Sequence, residues 1–174
     1  MSFTGVERNF YGNGQLEYEV FVCNDKREGN YKSYHENGQI ADECFFVNGN
    51  IVGGYNSYHK NGQLRSEGNY IDDEMNGIYK SYHDNGQLKE ECLYVNGKKD
   101  GIYKKYYPNG QLYYEVFLCS GKRNGTYKKY HYNGQLWIEC LYVNEKLEGK
   151  YKLYRDNGQL VTEYLYANNK KLIY

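Results

Sequence analysis

The chain contains 174 residues, with 22 Lys plus Arg against 22 Asp plus Glu, and its formal net charge is zero. This balance excludes the basic footprint expected of a nucleic-acid-binding protein and the Lys/Arg excess that draws proteins onto anionic membranes. The longest apolar runs span a few residues, whereas a membrane-spanning helix requires roughly 20. No signal peptide is recognisable, and the five cysteines are an odd set, so we expect a reduced, cytoplasmic location rather than secretion.

One tripeptide sets the organisation of the chain. Asn-Gly-Gln occurs seven times at a constant interval of 24 residues, beginning at Asn13, Asn37, Asn61, Asn85, Asn109, Asn133 and Asn157. A fixed interval of this size indicates a repeat architecture in which each unit contacts its neighbours. We therefore predict a single repeat domain over residues 1–174, with repeats at about 5–28, 29–52, 53–76, 77–100, 101–124, 125–148 and 149–172.

The first connection in each repeat is predicted to be a tight β-hairpin turn, because Asn-Gly separates two runs rich in Tyr, Val and Leu. Pro108 precedes Asn109 and suits the second position of a type I turn, which a left-handed glycine then follows. We therefore favour a three-residue loop with a structural glycine in every repeat: Gly14, Gly38, Gly62, Gly86, Gly110, Gly134 and Gly158.

The loop length decides which residues face each other across the hairpin. The three-residue loop places His35 opposite Gln39, Tyr34 opposite Ile40 and Tyr31 opposite Glu43. A two-residue loop would instead pair opposite charges, which stabilises a sheet; the pairs are Lys32–Glu43, Lys80–Glu91, Lys104–Glu115, Lys128–Glu139 and Lys152–Glu163. Pro108 favours the first register, and the second stays open.

The second connection keeps turn-forming residues without a fixed glycine, from Asn24-Asp25 to Asn168-Asn169. We therefore expect a conformation that does not require positive φ.

Two strands in each of seven repeats predict an all-β fold, a single-layer twisted antiparallel meander of about 14 strands. In the favoured register one face is the more apolar and carries Tyr34, Ile40, Cys44 and Phe46. The opposite face mixes aromatic rings with polar groups and carries Tyr31, Ser33, His35, Gln39 and Glu43.

Two polar columns are candidates for chemistry. The histidines His35, His59, His83 and His131 occupy one column of the repeat. Column members of adjacent repeats lie two strands apart, about 9–10 Å, which is too far for shared ligation of one zinc ion. A glutamate recurs in all seven repeats, and seven identical copies favour a structural hydrogen-bond acceptor over an acid–base catalyst. We therefore predict no catalytic residue, no metal site and no cofactor.

Two features are candidates for binding. Tyrosine is enriched at protein interfaces, and one tyrosine column forms the candidate binding face: Tyr31, Tyr55, Tyr79, Tyr103, Tyr127 and Tyr151. The chain also finishes with an apolar segment that stops partway into a strand, and an open strand edge favours strand addition. The candidate association edge is Leu172, Ile173 and Tyr174.

The repeat unit Gly-x-Tyr-Lys-x-Tyr-His/Tyr-x-Asn-Gly-Gln-Leu-x-x-Glu resembles the MORN repeat, in particular the MORN-repeat variant of bacterial and giant-virus proteins. The resemblance covers essentially the whole chain. The chain departs from the standard unit in its 24-residue interval, in the missing Gly-x-Gly and in tyrosine at the usual Trp or Phe position. The resemblance implies a hairpin ribbon that serves as a scaffold, located in the host cytoplasm or, for a viral protein, the virion.

We therefore predict a non-catalytic scaffold or protein–protein interaction module. Its partner would be another protein or another copy of itself, bound through a sheet edge or the tyrosine-rich face, with no nucleic acid and no membrane. The resemblance implies two alternatives, an antitoxin-like protein that neutralises a cognate toxin and, more distantly, a lipid-associated MORN module.

Overall fold

The computed structural model describes residues 2–172. Within this range every helix or strand assigned is a strand, which confirms the predicted all-β antiparallel meander. The strands are β1 (Gly5–Phe10), β2 (Leu16–Cys23), β3 (Lys26–Tyr34), β4 (Ile40–Val47), β5 (Asn50–Ile51), β6 (Gly53–Tyr58), β7 (Leu64–Ile71), β8 (Glu74–Met75), β9 (Gly77–Tyr82), β10 (Leu88–Val95), β11 (Lys98–Tyr106), β12 (Leu112–Cys119), β13 (Lys122–Tyr130), β14 (Leu136–Val143), β15 (Lys146–Tyr154), β16 (Leu160–Ala167) and β17 (Lys170–Leu172).

The chain divides into two compact units, unit 1 (residues 1–86) and unit 2 (residues 87–174). Unit 1 contains β1 to β9, and unit 2 contains β10 to β17. Within each unit, strands that follow one another in sequence pair antiparallel, as β1 does with β2 and β10 with β11. The exceptions are two divided strands: β5 and β6 both pair with β4, and β8 and β9 both pair with β7. Each unit is therefore an open meander.

The described residues contain more strands than predicted because two strands are divided beside a glycine that recurs in the first strand of the repeats, and because β17 follows β16. At this position Gly29, Gly53 and Gly101 have φ of 80°, 81° and 76°. The pairing passes from Val20–Tyr31 to Phe21–Glu28, so Gly29 and Asn30 form a bulge. β3 continues through its bulge, whereas in the next two repeats the strand is interrupted at the residue before the glycine, Val52 or Asn76. This interruption separates β5 from β6 and β8 from β9, and β17 adds the beginning of a further repeat.

The three-residue hairpin loop is confirmed. In the second repeat the backbone N–H of His35 donates to the carbonyl of Gln39 at 2.8 Å, and the N–H of Gly38 donates to the carbonyl of His35 at 2.8 Å. Gly38 has φ of 82°, a left-handed conformation in which a residue with a Cβ is strained. The turn glycines therefore have the structural role that the sequence predicted for them.

The predicted register beyond the loop is wrong. Tyr34 faces Ile40 as expected, but Ser33 then faces Asp42, so Ala41 is an extra residue in its strand. Because this β-bulge shifts the register by one residue, Lys32 faces Glu43 and Tyr31 faces Cys44. The charge pairs of the alternative register are therefore present and recur at Lys104–Glu115, Lys128–Glu139 and Lys152–Glu163.

The predicted conformation of the second connection is also wrong. Both central residues have positive φ, for example 49° at Asn24 and 64° at Asp25. This is a two-residue type I′ turn, whose twist matches that of antiparallel strands. Asn and Asp tolerate left-handed backbone better than other non-glycine residues, so a fixed glycine is not required here.

The bulges place the apolar core on one face of each unit, which we call the core face. In unit 1 this face is built around Val20, Val22 and Phe46, with Tyr31 and Cys44 packed against them. In unit 2 its most buried side chains are Cys92, Val116, Leu118 and Cys140. The predicted faces are therefore wrong, because Cys44 and Phe46 share a face with Tyr31 rather than with Tyr34. The opposite side of the same strands is the open face.

Candidate interaction surface

The tyrosines predicted to form the binding face lie on the core face, where their rings pack against other aromatic rings. In unit 2, Tyr127 lies with its ring centroid 5.9 Å from that of Tyr114 and 6.0 Å from that of Tyr142. In unit 1, the ring centroids of Tyr31 and Phe46 are 5.7 Å apart. All six predicted tyrosines are half-buried. Their contribution to partner binding stays a prediction, while the packing gives them a role in stability.

Polar contacts further fix these rings. The Tyr55 hydroxyl donates to Asp42 at 2.7 Å, and the Tyr103 hydroxyl donates to Glu90 at 2.5 Å. The ammonium of Lys99 lies 3.8 Å from the Tyr103 ring centroid, within cation–π distance. Burial raises the pKa of Tyr55 and of Tyr103 above the ordinary value, and the carboxylates beside them raise it further.

The open face of each unit carries a row of charged residues that alternate in sign from strand to strand. In unit 2 this charge row consists of Glu91, Lys104, Glu115, Lys128, Glu139, Lys152 and Glu163, each paired with the next across neighbouring strands. Nζ of Lys128 lies 3.8 Å from a carboxylate oxygen of Glu139. Unit 1 has a shorter equivalent in Arg8, Glu19, Lys32 and Glu43, after which Asn56 interrupts the alternation.

The glutamates of the charge row also accept hydrogen bonds from tyrosine hydroxyls of the following repeat. Tyr58 donates to Glu43 at 2.5 Å, and Tyr130 donates to Glu115 at 3.2 Å. The bond to Glu43, together with burial, raises the pKa of Tyr58 to about 12. These contacts confirm the predicted structural role of the glutamates and link successive repeats on the open face.

Beside the charge row lies a second row of exposed apolar side chains, which we call the apolar row. In unit 2 it consists of Leu93, Ile102, Phe117 and Leu141, of which Ile102 is 56% exposed and Phe117 43% exposed. Each alternates along its strand with core-face residues, as Phe117 does between buried Val116 and Leu118. Unit 1 carries Val6, Phe21, Phe45 and Ile78 in equivalent positions.

The centre of the apolar row in unit 2 is concave. A cavity of about 400 Å³ is lined there by Ile102, Glu115, Val116, Phe117, Gly125, Thr126 and Lys128. Gly125 is required for this shape, because a Cβ at this position would lie 2.8 Å from Cβ of Phe117. The cavity therefore combines two exposed apolar side chains with one acidic and one basic group of the charge row.

The candidate association edge is described only in part. Leu172 lies in β17 and faces Leu165 of β16. Ile173 and Tyr174 lie outside the described residues. Association through this edge stays a prediction.

Histidines of the predicted column lie within hydrogen-bond distance of backbone carbonyls in the next repeat, a contact that the sequence did not reveal. Nε2 of His59 lies 3.0 Å from the carbonyl oxygen of Tyr82, and Nε2 of His131 lies 3.0 Å from that of Tyr154. Tyr107 occupies the same position in its repeat and donates its hydroxyl to the carbonyl of Tyr130 at 3.0 Å. Among residues 2–172 no group of three or more His, Cys, Asp or Glu is arranged to hold a metal ion.

The cysteines differ in exposure. Cys92 and Cys140 are buried on the core face, whereas Cys119 is exposed. Burial raises the pKa of the Cys44 and Cys140 thiols to about 11.

Sequence reasoning missed the apolar row because the bulge at Ala41 and at its equivalents was not predicted. Without the bulge at Ala41, the predicted register places Phe45 on the same face as Tyr31, and the exposed residues are not recognisable as a set. The signal was present in two features: the glycine column that includes Gly29, and the aliphatic or aromatic residue between two core residues in β2, β4, β10, β12 and β14. No helix of the described residues has the length and apolar character to cross a membrane.

Fold and surface together define a repeat protein of antiparallel hairpins with one packed and one open face in each unit. The family model "MORN repeat variant" matches seven segments, at residues 3–24, 27–48, 53–72, 75–96, 99–119, 123–144 and 147–168. The chain therefore belongs to the MORN-repeat variant family, whose repeats are compatible with a structural or interaction module. The bacterial or giant-virus origin implied by the resemblance stays a prediction.

The other comparisons add little. No curated protein matches the chain. Among solved structures, TarM matches with a TM-score of 0.34 and 10% identity over 52% of this chain and 18% of its own. A point mutant of S. aureus TarM in complex with fondaparinux, α-GlcNAc-glycerol and UDP matches with a TM-score of 0.31 and 8% identity over 69% of this chain and 21% of its own. The chain thus spans about a fifth of these structures, and likeness this low carries no argument about fold or function.

Proposed function

We propose that the protein is a non-catalytic scaffold or interaction module that binds protein partners through its open face. The observation that supports this most is the apolar row of unit 2, which includes Ile102 at 56% exposure and Phe117 at 43% exposure. Contiguous exposed apolar residues bordered by polar ones are typical of protein-binding surfaces. The charge row beside them supplies that polar border.

The distribution of polar contacts supports the same proposal. On the core face, the tyrosines have polar partners within the sheet: the Tyr103 hydroxyl donates to Glu90, and the Lys99 ammonium lies over the Tyr103 ring. On the open face, Ile102 and Phe117 face each other across β11 and β12 with much of their surface in solvent. Burial of such surface by a partner contributes roughly 25 cal/mol per Å² before the costs of association are subtracted.

The proposal is tested by affinity capture from cells that express the protein, with wild-type chain and two variants as bait. Ile102→Asp places a charge in the apolar row. Val161→Asp is the matched control, because Val161 is an exposed aliphatic residue, 49% accessible, outside that row. We expect the wild type and Val161→Asp to capture the same proteins and Ile102→Asp to lose them. Equal capture by all three baits would contradict the proposal.

The antitoxin-like and lipid-associated alternatives stay predictions that the resemblance implies. No contact among residues 2–172 argues specifically for either.

A further inference from the structure

We propose that the open face of unit 2 binds a second copy of this chain, face to face, around a two-fold axis that runs parallel to the strands between β12 and β13. This inference rests on the proposed function, because it names the partner of the same surface. The alternation of the charge row and the position of the apolar row beside it both point to this partner.

The charge row is complementary to itself when two copies are offset by one strand. Its signs alternate without interruption from Glu91 on β10 to Glu163 on β16. A second row of the same kind, shifted by one strand spacing of about 4.8 Å, presents the opposite charge to every member. An unrelated flat surface would have to supply this alternation separately, whereas a second copy carries it already.

Symmetry selects one orientation of the second copy. A two-fold interface brings the same patch of both copies together, so each contact occurs twice. With the axis parallel to the strands and between β12 and β13, Glu115 lies opposite Lys128 of the second copy. The same operation places Lys104 opposite Glu139 and Glu91 opposite Lys152. If the axis lay in the interface but perpendicular to the strands, each strand would lie opposite the same strand of the second copy. Glu115 would then face Glu115 of the second copy, and like charges would meet.

The favoured axis also places the two apolar rows opposite each other. A rotation about an axis parallel to the strands leaves the position of each residue along the strand direction unchanged. Ile102 on β11 then lies opposite Leu141 on β14 of the second copy, and Phe117 lies opposite Thr126. Two packed sheets are separated by about 10 Å, a distance that side chains from both faces fill. The concavity at Gly125 lies beside this axis, where the side chains of Phe117 from both copies require space.

The exposure of the charged side chains fits contact with a second copy. The Lys104 and Lys128 side chains retain 35% and 37% of their accessible surface, and that of Glu139 retains 33%. These side chains therefore contact neighbours in their own sheet and still expose about a third of their surface to a second copy. Charge complementarity of this kind fixes register more than it adds affinity, while the apolar row supplies most of the burial.

Sedimentation velocity across a range of concentrations tests the proposal, using the full-length chain and four variants. Ile102→Asp and Leu141→Lys each place a charge against an apolar residue of the second copy. The double variant Ile102→Asp/Leu141→Lys restores complementarity, because the new carboxylate of each copy would face the new ammonium group of the other. Val161→Asp is again the control, and circular dichroism verifies that every variant is folded.

We expect a reversible dimer for the wild type and for Val161→Asp, with the dimer dissociation constant raised at least tenfold in each single variant and largely restored in the double variant. A wild type that stays monomeric at high concentration would overturn the inference. So would a dimer that Ile102→Asp leaves unchanged, or a double variant weaker than both single variants. If the wild type is monomeric while Ile102→Asp still loses captured proteins, the self-association fails and the proposed function stands.

Discussion

Nε2 of His35 donates a hydrogen bond to the carbonyl oxygen of Tyr58, at 2.9 Å and 23 residues further along the chain. The acceptor has no proton, so His35 carries one on Nε2. The same link joins Tyr11 to the carbonyl of Tyr34 at 2.7 Å through a phenol hydroxyl instead of an imidazole. Histidine and tyrosine are therefore interchangeable in this column because each supplies one donor of similar reach.

This interchange predicts the effect of substitutions at His59. His59→Ala removes the donor to Tyr82 and should lower the free energy of unfolding by roughly 1 kcal/mol, the usual contribution of such a bond. His59→Tyr should retain most of the stability, because Tyr107 makes the equivalent contact in its own repeat. Urea denaturation measures both variants. Equal losses would contradict the interchange of histidine and tyrosine, and an unchanged stability of His59→Ala would show that the bond does not contribute.

The two turns predict opposite responses to substitution of their glycines. Gly62 has φ of 83°, and a Cβ there would lie 2.8 Å from Oε1 of Gln39, so Gly62→Val should lower stability by about 1–2 kcal/mol. Gly121 has φ of 82° with open space around it, and Gly121→Asn should be neutral or stabilising. Asn169 has the equivalent position and accepts the Leu147 amide at 2.6 Å, a bond that Gly121 does not offer.

The measurement is the urea midpoint of the two glycine variants and the wild type. Similar losses in both variants would mean that the second turn is as intolerant of side chains as the first.

Stability should decrease as the pH rises above about 9. Burial holds the pKa of Cys44 and Cys140 at about 11, and the bond to Glu43 holds that of Tyr58 at about 12. The unfolded chain ionises these groups at lower pH, near 9 for Cys and 10 for Tyr, and so binds fewer protons there than the folded chain. The stabilisation is therefore complete when the pH lies below the pKa values that these groups have in the unfolded chain. It is lost as the pH rises through the pKa values that they have in the folded chain.

Urea midpoints measured between pH 7 and pH 11 check this dependence, and a midpoint independent of pH would contradict it. Tyr58→Phe removes one of the ionising groups and should reduce the slope.

Much of the fold was predictable because the sequence repeat recurs at a constant interval of 24 residues. Asn-Gly-Gln and Pro108 predicted the three-residue loop, and the loop glycines have the expected left-handed backbone, as at Gly38. The register was not predictable from the loop alone, because the bulge at Ala41 has no glycine or proline to mark it. A one-residue bulge transfers every later side chain to the other face, so one missed feature reversed the placement of Cys44 and Phe46.

The candidate surface was less predictable than the fold. The tyrosine column that includes Tyr31 has the composition of an interface, but its rings pack within the core face. The exposed residues on the other face are ordinary aliphatic and aromatic residues whose exposure depends on the register. Composition therefore identified the aromatic residues. Strand pairing was needed to distinguish the rings packed on the core face from the side chains exposed on the open face.

Hydroxyl-radical footprinting, with oxidation read by mass spectrometry, tests most directly the central claim that the open face is the binding surface. The wild-type chain is oxidised at low and at high concentration, and with and without any captured partner. We predict that Ile102, Phe117 and Leu141 are oxidised in the free chain and protected in the complex, while Tyr103 and Tyr127 change little. Protection of Tyr103 and Tyr127 with no change at Ile102 and Phe117 would contradict the account and return the binding surface to the tyrosine column.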